Sequence, residues 1–166
     1  MIGKPESLTK DHLLDRFDCG KEALSIWLKK YALQSQNSSH TKTMVVTKGD
    51  SRNVIGYYTF NVVSIEQQGL VKHSIPVFLI ARLAVASSHQ GKGLGARLLR
   101  HALISVAYFS DEIPIRTVIV DALDEDAKQF YEKFDFEVFP PDTMRMWLLA
   151  KDLIKTLRES SDVYSS

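Results

Sequence analysis

A strand, a glycine-rich loop and a helix follow one another in the middle of the chain, and this succession limits its possible folds more than any other feature. The run VFLIARLAVA (77–86) is typical of a central strand, apolar on both faces except at Arg82. It is followed by SSHQGKGLG (87–95), with three glycines in five residues, and by a helical segment rich in leucine and alanine (95–109). Because a helix N-terminus presents N–H groups and a positive dipole end, this succession predicts an anion-binding site.

Two common phosphate-binding signatures fit the loop poorly. A Walker A loop requires lysine and then serine or threonine after its second glycine, whereas Lys92 lies between glycines here. A dinucleotide fingerprint is matched nominally as Gly91-x-Gly93-x-x-Ala96, but its turn should follow the strand at once, and SSHQ intervenes. The sequence therefore excludes a P-loop and leaves the dinucleotide fold as a weak alternative.

A third signature, Q/R-x-x-G-x-G/A, is matched at every constrained position by Gln90, Gly93 and Gly95. The order of the elements also matches, with a central strand, a short link, the loop and then a long helix. This signature is that of the GCN5-related N-acetyltransferases (GNAT), and the chain resembles that family. The resemblance implies acetyl-CoA as co-substrate.

The composition is that of one soluble globular domain. The chain has 166 residues, of which 45% are hydrophobic and 25% charged, enough for one hydrophobic core. No apolar run reaches the roughly 18 residues of a membrane span, and no secretion signal is recognised, so we expect a cytoplasmic protein without membrane contact. The single cysteine, Cys19, excludes an internal disulfide and a cysteine-based metal site, and we expect no metal. We predict one domain over 1–159 and a disordered tail over 160–166.

Charge is distributed unevenly along the chain, although the formal net charge is only +1. No Asp or Glu occurs from Gln67 to Ser110, whereas thirteen acids and seven bases occur from Asp111 onward. The basic middle segment is either a solvated face beside an acidic one or the contact surface for an anionic partner. The glycine-rich loop lies within this basic segment.

Hydrophobic periodicity predicts a mixed α/β sheet with helices. After FDCG, a helix places Leu24, Trp27, Leu28 and Tyr31 on one face. Strands are predicted at TKTMVV, NVIGYYTFNVVSI, IRTVIVDAL, FEVFP and TMRMWLLAK, and further helices at DEDAKQFYEKF, with Asp124 as N-cap, and at KDLIKTLRE. The helix after the loop is predicted to present one face made of Leu98, Leu99, Ala102, Leu103 and Val106.

Segments along most of the chain resemble one GNAT subgroup, the acetyltransferase toxins of type II toxin–antitoxin modules. FDCG, WLKKYA, GYYTF, ARLAV, QGKGLGARLL, DALDEDAKQFYEKFDF and MRMWL occur in the order seen there. The resemblance implies a single GNAT-type domain with a central mixed, mostly antiparallel sheet, splayed at the cofactor site and with helices on both faces. It also implies acetylation of the α-amine of aminoacyl-tRNA, a homodimer, and a small ribbon-helix-helix antitoxin through which operator DNA is bound.

Carried onto this sequence, the resemblance assigns cofactor-binding and catalytic residues. The expected cofactor contacts are Gln90, Gly91, Lys92, Gly93, Leu94, Gly95 and Ala96 for the pyrophosphate, and Leu83, Ala84 and Val85 for the pantetheine arm. Tyr131 is implied as the general acid, although the phenylalanines around it also fit a core aromatic. Asp135 replaces the usual glycine of FGF, and aspartate tolerates a positive φ better than most residues. RLAVASS replaces the usual RLAVD.

The residues also favour one class of acceptor. An α-amine, with a pKa of about 7.7–8.0, is partly neutral at cytoplasmic pH, whereas a lysine amine, at about 10.4, needs a strong base. Asp and Glu are absent from the loop and the strand before it, which favours an α-amine. Candidate contacts to tRNA phosphates, or else solvated charges, are Lys29, Lys30, Lys42, Lys92, Arg97 and Arg100.

Three side chains and two other functions stay open. Arg82 either pairs with an acid or faces the cleft, His89 either touches a CoA phosphate or is solvated, and Cys19 is better explained as a packed residue than as a nucleophile. The alternative functions are an ordinary acetyltransferase of small amines or protein N-termini, and an inactive CoA-binding regulatory module. The complete loop and Tyr131 count against the inactive module.

Overall fold

The computed structural model describes residues 2–38, 41–67, 73–139 and 144–165. Its helices are α1 (Glu22–Lys30), α2 (Ala32–Asn37), α3 (Leu94–Phe109), α4 (Glu125–Glu132) and α5 (Leu153–Ser165). Its strands are β1 (Glu6–Ser7), β2 (Lys42–Thr47), β3 (Val54–Gln67), β4 (His73–Val85), β5 (Thr117–Asp121), β6 (Glu137–Val138) and β7 (Arg145–Leu149). Short 3₁₀ turns occupy Ser87–His89 and Ala150–Asp152.

The strands of the described residues form a seven-stranded sheet in the order β1-β2-β3-β4-β5-β7-β6. The pairs β1–β2, β2–β3, β5–β7 and β6–β7 are antiparallel, and β4–β5 is parallel, with Val77 opposite Thr117. A parallel pair needs a crossover connection, which here contains α3. The predicted mixed sheet is thus confirmed. Its splaying and the placement of helices on both faces stay predictions.

Two compact units make up the described part of the chain. The first contains the residues up to Asn61 together with Arg82–His101, and the second contains Val62–Ala81 and the residues from Ala102 onward. β3, β4 and α3 therefore contribute residues to both units. The single domain over 1–159 stays a prediction.

In the first unit, residues of the helices and strands form a closely packed core. Fully buried members include Leu28, Ala32, Val45, Val46, Tyr57, Tyr58, Leu98 and Leu99. Gly56 shows how close this packing is, because a Cβ there would lie 3.1 Å from side-chain atoms of both Leu98 and Val46. Glycine is the residue that fits this point of β3 without displacing a neighbour.

The helix α1 differs from its predicted face at one residue. Leu28 is fully buried and Leu24 and Trp27 are half-buried, as an amphipathic helix requires. Tyr31 was predicted on the same face, but its side chain is 53% exposed. The reason is that α1 ends at Lys30, so Tyr31 lies at the junction with α2.

The second unit has its core on the parallel pair β4–β5. Buried members include Val77, Phe78, Ile80, Val118, Ile119, Val120, Met146 and Leu148. The predicted inward face of α3 is confirmed in both units, because Leu98, Leu99, Ala102, Leu103 and Val106 are at most 1% exposed. The Asp124 N-cap is confirmed as well, since its Oδ1 accepts a hydrogen bond from the N–H of Ala127 at 2.9 Å.

Element ends differ most from the sequence prediction at β4, β6 and α5. β4 begins at His73, within a segment predicted to be a loop. β6 contains only Glu137–Val138 and is shorter than the predicted strand FEVFP. Pro140 of the predicted FEVFP strand and Thr143 of the predicted last strand lie outside the described residues. The helix α5 continues through 160–165, where a disordered tail was predicted, because neither glycine nor proline interrupts it after Leu153.

Candidate active site

The glycine-rich loop is shaped by two left-handed backbone positions. The chain leaves β4, makes the 3₁₀ turn Ser87–His89, and passes through Gly91 and Gly93 with φ of +75° and +80° before α3 begins. A Cβ at Gly91 would meet no atom within 4 Å, so glycine is needed there for its backbone angle and not for space. Gly95 lies in the first turn of α3 and is half-buried.

The loop delivers the chain to the N-terminus of a long helix. The N–H of Arg97 donates to the carbonyl of Gly93 at 3.1 Å, which closes the first turn of α3. The helix has 16 residues, and its first N–H groups lie beyond the reach of intrahelical carbonyls. Lys92 and Arg97 are exposed on either side of this turn. Geometry and charge therefore fit a diphosphate, as the sequence predicted.

The side chain of Gln90 holds this loop to two other segments. Its Nε2 donates to the carbonyl oxygens of Cys19 and Val85, each at 2.9 Å. The sequence predicted Gln90 only as the opening residue of the cofactor signature. The structure shows that its amide joins the end of β4 to the FDCG segment. Cys19, which it reaches there, lies 71 positions before Gln90 in the sequence.

The FDCG segment forms a tight turn against the same loop. Oδ1 of Asp18 accepts a hydrogen bond from the N–H of Gly20 at 2.9 Å, and Gly20 has a φ of +81°. The carbonyl of Asp18 accepts a second bond from the N–H of Ser87 at 2.8 Å. Cys19 is buried, and its Sγ lies 3.3 Å from Oγ of Ser25. Cys19 is therefore the packed residue that the sequence predicted.

The strand segment before the loop alternates in burial. Ala84 is buried, whereas Leu83 and Val85 are half-buried, as expected of neighbouring residues on opposite faces of a strand. The N–H of Ala86 donates to the carbonyl of Ile55 at 2.8 Å. This pairing holds the end of β4 beside β3 within the first unit. The role of these residues toward a pantetheine arm stays a prediction.

Arg82 makes a contact that the sequence did not predict. Its guanidinium carbon lies 4.0 Å from the ring centroid of Trp27 on α1, which is a cation–π geometry. Tyr57 stacks on Trp27 with ring centroids 6.2 Å apart and donates its hydroxyl to the carbonyl of Leu24 at 2.7 Å. Burial raises the pKa of Tyr57, partly offset by the positive charge of Arg82. The phenol is therefore neutral and acts as a hydrogen-bond donor.

In the second unit, α4 places Tyr131 in an aromatic cluster. Its ring meets Phe130 and Phe136 edge-on, with centroids 5.2 Å and 5.7 Å apart, and only 3% of the residue is exposed. Burial raises the pKa of Tyr131, and the carboxylate of Asp121 raises it further. No hydrogen-bond partner of its hydroxyl occurs among the residues that the structure describes. Tyr131 is thus both a packed aromatic and a phenol that keeps its proton.

The turn after α4 explains the aspartate found where the family pattern has glycine. Asp135 has a φ of +68°, and it is the residue other than glycine with a positive φ among those described. Its Oδ2 accepts a hydrogen bond from the buried hydroxyl of Thr156 at 3.1 Å. The turn does have a positive φ, which aspartate tolerates better than most residues.

The predicted tRNA contacts all fall in the first unit. Lys29, Lys30, Lys42, Lys92 and Arg97 are exposed, and Arg100 is half-buried. His89 adds no charge to them at neutral pH, because burial and the nearby Lys48 and Lys92 lower its pKa. The described residues contain no group of three or more possible metal ligands and no helix long and apolar enough to cross a membrane.

Comparisons with known proteins agree with this geometry. A family model described as an acetyltransferase (GNAT) domain matches residues 39–138. The chain is 36% identical over 143 residues to the tRNA-acetylating toxin of Mycobacterium tuberculosis (strain ATCC 25618 / H37Rv), covering 82% of this chain and 85% of that protein.

Solved structures of one toxin, AtaT, match nearly the whole chain. A tyrosine-to-phenylalanine mutant of AtaT, bound to the C-terminus of the antitoxin AtaR and to acetyl-CoA, has a TM-score of 0.82 and 29% identity, covering 92% of this chain and 95% of that one. AtaT complexed with acetyl-methionyl-tRNAfMet has a TM-score of 0.83 and 27% identity, covering 93% and 98%. The AtaT–AtaR complex bound to DNA has a TM-score of 0.76 and 29% identity, covering 92% and 97%.

Proposed function

This chain belongs to the GNAT acetyltransferase family, and on that premise we propose that it is a toxin that transfers acetyl from acetyl-CoA to the α-amine of aminoacyl-tRNA. Such a modified amine can no longer form a peptide bond, so translation is inhibited. The observation that carries the proposal is the 36% identity, over 82% of the chain, to a toxin named for tRNA acetylation. The AtaT structures with acetyl-CoA and with an acetylated tRNA support it.

Acetyl-CoA binding is assigned to the loop and to the strand before it. The diphosphate is held by backbone N–H groups between Gln90 and Ala96, where two positive-φ glycines lead into α3. Lys92 and Arg97 add positive charge on either side. The pantetheine arm pairs with the backbone of Leu83–Val85, whose N–H groups also stabilise the oxyanion of the tetrahedral intermediate.

The reaction is a direct transfer between two groups. The neutral α-amine attacks the thioester carbonyl carbon, a C–N bond forms, and the C–S bond breaks as the tetrahedral intermediate collapses. We assign Tyr131 as the acid that gives its proton to the leaving thiolate. Burial and Asp121 raise its pKa, so the phenol carries its proton at neutral pH and has it to give. The proton lost by the amine goes to water, since an α-amine needs no strong base, and water returns one proton to the Tyr131 phenolate, which restores the acid.

Binding of the RNA is assigned to the first unit. Phosphates of tRNA are expected on its exposed lysines and arginines, Lys29, Lys30, Lys42, Lys92 and Arg97, with Arg100 beside them. These side chains act as point charges that attract and position the RNA. They do not select among tRNAs, because phosphate contacts carry no sequence information.

Its regulation is proposed by likeness to AtaT, which has been solved with AtaR and, as that complex, with DNA. We assign to this chain a small ribbon-helix-helix antitoxin, operator DNA bound only through that antitoxin, a homodimeric state and a cytoplasmic location. Light scattering of the purified protein, alone and after co-expression with the product of the neighbouring reading frame, tests the dimer and the antitoxin together.

The proposed activity is tested by offering labelled acetyl-CoA with different acceptors. We expect label on aminoacyl-tRNA and none on the same tRNA after its amino acid has been removed. Polyamines, aminoglycosides and peptides with a free N-terminus serve as competing acceptors. Labelling of one of these at a higher kcat/KM than any charged tRNA would make the protein an ordinary acetyltransferase and overturn the proposal.

A further inference from the structure

Two aromatic residues at the end of α1 differ sharply in exposure. Tyr31 directly follows the last residue of α1, and its N–H donates to the carbonyl of Trp27 at 2.9 Å, so it lies one turn beyond Trp27. Trp27 is half-buried, whereas Tyr31 is 53% exposed. We call Trp27 and Tyr31, together with the Arg82 guanidinium that contacts the ring of Trp27, the aromatic stripe. All three belong to the first unit.

The inner end of the aromatic stripe is held firmly. Trp27 lies under the guanidinium of Arg82 at 4.0 Å and is stacked on Tyr57 with an angle of 10° between the rings. Tyr57 is itself fixed by its hydrogen bond to the carbonyl of Leu24 and by the edge-on ring of Phe17. The stripe therefore begins on a rigid base and ends at a ring that faces solvent.

The exposed end of the stripe directly follows two lysines in the sequence. Lys29 and Lys30 lie in the last turn of α1, where positive charge stabilises the helix dipole, so they have a structural reason to be there. Exposed aromatic rings between cations are the arrangement that binds single-stranded nucleic acid, because the ring stacks on a base while cations attract phosphates.

We infer that the aromatic stripe holds the single-stranded 3′ end of aminoacyl-tRNA, with the ring of Tyr31 stacked on one of its bases. This inference rests on the proposed function. The position of the aromatic stripe fits this role, because its Arg82 directly precedes Leu83–Val85, the strand residues assigned to acetyl-CoA. Only a single-stranded end fits such a ring, since the bases of a duplex are already stacked on one another.

The experiment measures tRNA affinity for Tyr31→Ala, Tyr31→Phe and the unmodified protein. The probes are an uncharged tRNA with its complete 3′ end and the same tRNA trimmed of its single-stranded 3′ nucleotides, with binding followed by fluorescence anisotropy. We expect Tyr31→Ala to bind the complete tRNA about tenfold more weakly and the trimmed tRNA unchanged. Tyr31→Phe keeps the ring and is expected to bind both probes as the unmodified protein does.

Two controls separate stacking from general damage. Tyr108→Ala removes a tyrosine that is 79% exposed on α3 and is expected to change neither affinity. The KM for acetyl-CoA is expected to be the same in every variant, which also shows that each one folds. Equal binding of the complete tRNA by Tyr31→Ala and the unmodified protein would overturn the inference, and so would an equal loss with both probes.

The inference and the proposed function fail in different ways. If the unmodified protein acetylates no charged tRNA, the proposed function is wrong, whatever the effect of Tyr31→Ala. If it acetylates charged tRNA with the same KM in Tyr31→Ala, the function stands and the stacking role is wrong. A raised KM for charged tRNA, without a change in the KM for acetyl-CoA, supports both.

Discussion

The amide nitrogen of Gln90 lies 2.9 Å from the carbonyl oxygen of Cys19, and it reaches the carbonyl of Val85 at the same distance. One side chain thus holds together the end of β4, the glycine-rich loop and the FDCG turn. The side chain of the first residue of the cofactor signature therefore fixes the shape of the loop, and the proposed contact to the diphosphate is left to the backbone.

Replacing Gln90 with methionine removes both hydrogen bonds while keeping the length of the side chain. We expect the KM for acetyl-CoA to rise about tenfold, because two bonds of roughly 0.5–1.5 kcal/mol each stabilise the binding shape of the loop. The value of kcat at saturating acetyl-CoA is expected to change little. Steady-state kinetics with varied acetyl-CoA measures both quantities.

Ser88→Ala is the matched control, since Ser88 lies in the same loop and bonds only to the neighbouring ring of His89 among the contacts described. Its KM is expected to stay that of the unmodified protein. An equal rise in KM for both variants, or no rise for Gln90→Met, would show that the two hydrogen bonds of Gln90 do not position the loop.

Tyr131→Phe is expected to bind acetyl-CoA normally and to lose turnover by about 10²–10⁴-fold, the range for a general acid. The packing of the ring against Phe130 and Phe136 is kept, so stability is expected to change little. Calorimetric titration with acetyl-CoA and single-turnover assays separate the two effects. Unchanged turnover would leave Tyr131 as a core residue only.

The pH dependence of turnover provides a second test of Tyr131. An acid loses activity when it deprotonates, and burial raises its pKa above the usual value for tyrosine of about 10. The loss is therefore shifted to higher pH, and kcat is expected not to decline as the pH is raised from about 8 to about 10. A decline centred near 10 would mean that the acid is a solvated group.

Asp135 allows the cost of a left-handed backbone to be measured. Asp135→Ala is expected to lower the free energy of unfolding by about 1–2 kcal/mol for the φ of +68°, and further because the buried hydroxyl of Thr156 loses its acceptor. Asp135→Asn tolerates the same φ and keeps an acceptor, so it is expected to be close to the unmodified protein. Urea unfolding compares them, and equal stability of the alanine and asparagine variants would contradict this explanation.

The ion pair of Glu6 makes stability depend on pH in the acid range. The hydrogen bond from the ring of His12, at 2.7 Å, lowers the pKa of Glu6, with smaller contributions from the charges of His12 and Arg52. Because the folded pKa lies below the ordinary value of 4.5, the carboxylate stabilises the fold above that pH. This stabilisation is lost as the pH falls through the lowered pKa.

Glu6→Gln is therefore expected to be slightly less stable than the unmodified protein at pH 7, by less than about 1 kcal/mol because Glu6 is largely exposed. The difference is expected to shrink as the pH falls below 4.5. Thermal unfolding at several pH values measures it. A difference that grows on acidification would contradict the sign of this effect.

The sequence predicted those features whose causes are local. The inward face of α3 follows from helical spacing and the Asp124 cap from its place before a helix. The left-handed Asp135 follows from its place where the family pattern has glycine. The family was also recognised from short motifs, and the family match confirms it. The assignment of the loop residues to acetyl-CoA stays a prediction.

The features that the sequence did not predict depend on contacts between distant residues. Nothing in the spacing of Gln90 indicates that its amide reaches Cys19, and nothing near Arg82 indicates a ring of α1 above it. Tyr31 was misplaced for another reason, since the helical period continues past Lys30 in the sequence although the helix does not. Long-range pairing and helix ends are the points where periodicity carries least information.

The hydrogen bonds between the FDCG turn and the glycine-rich loop limit how many N-terminal residues can be removed without changing the loop. The stretch matched by the family model begins at residue 39, yet the loop inside it is held by the carbonyls of Asp18 and Cys19. A truncated chain that begins at residue 39 would contain every letter of the cofactor signature and lack the groups that shape it. The recognisable motif therefore does not contain all the groups that shape it. We expect N-terminal deletions or fusions close to residue 18 to alter the loop proposed to bind acetyl-CoA, since Gln90 lies 71 positions after Cys19.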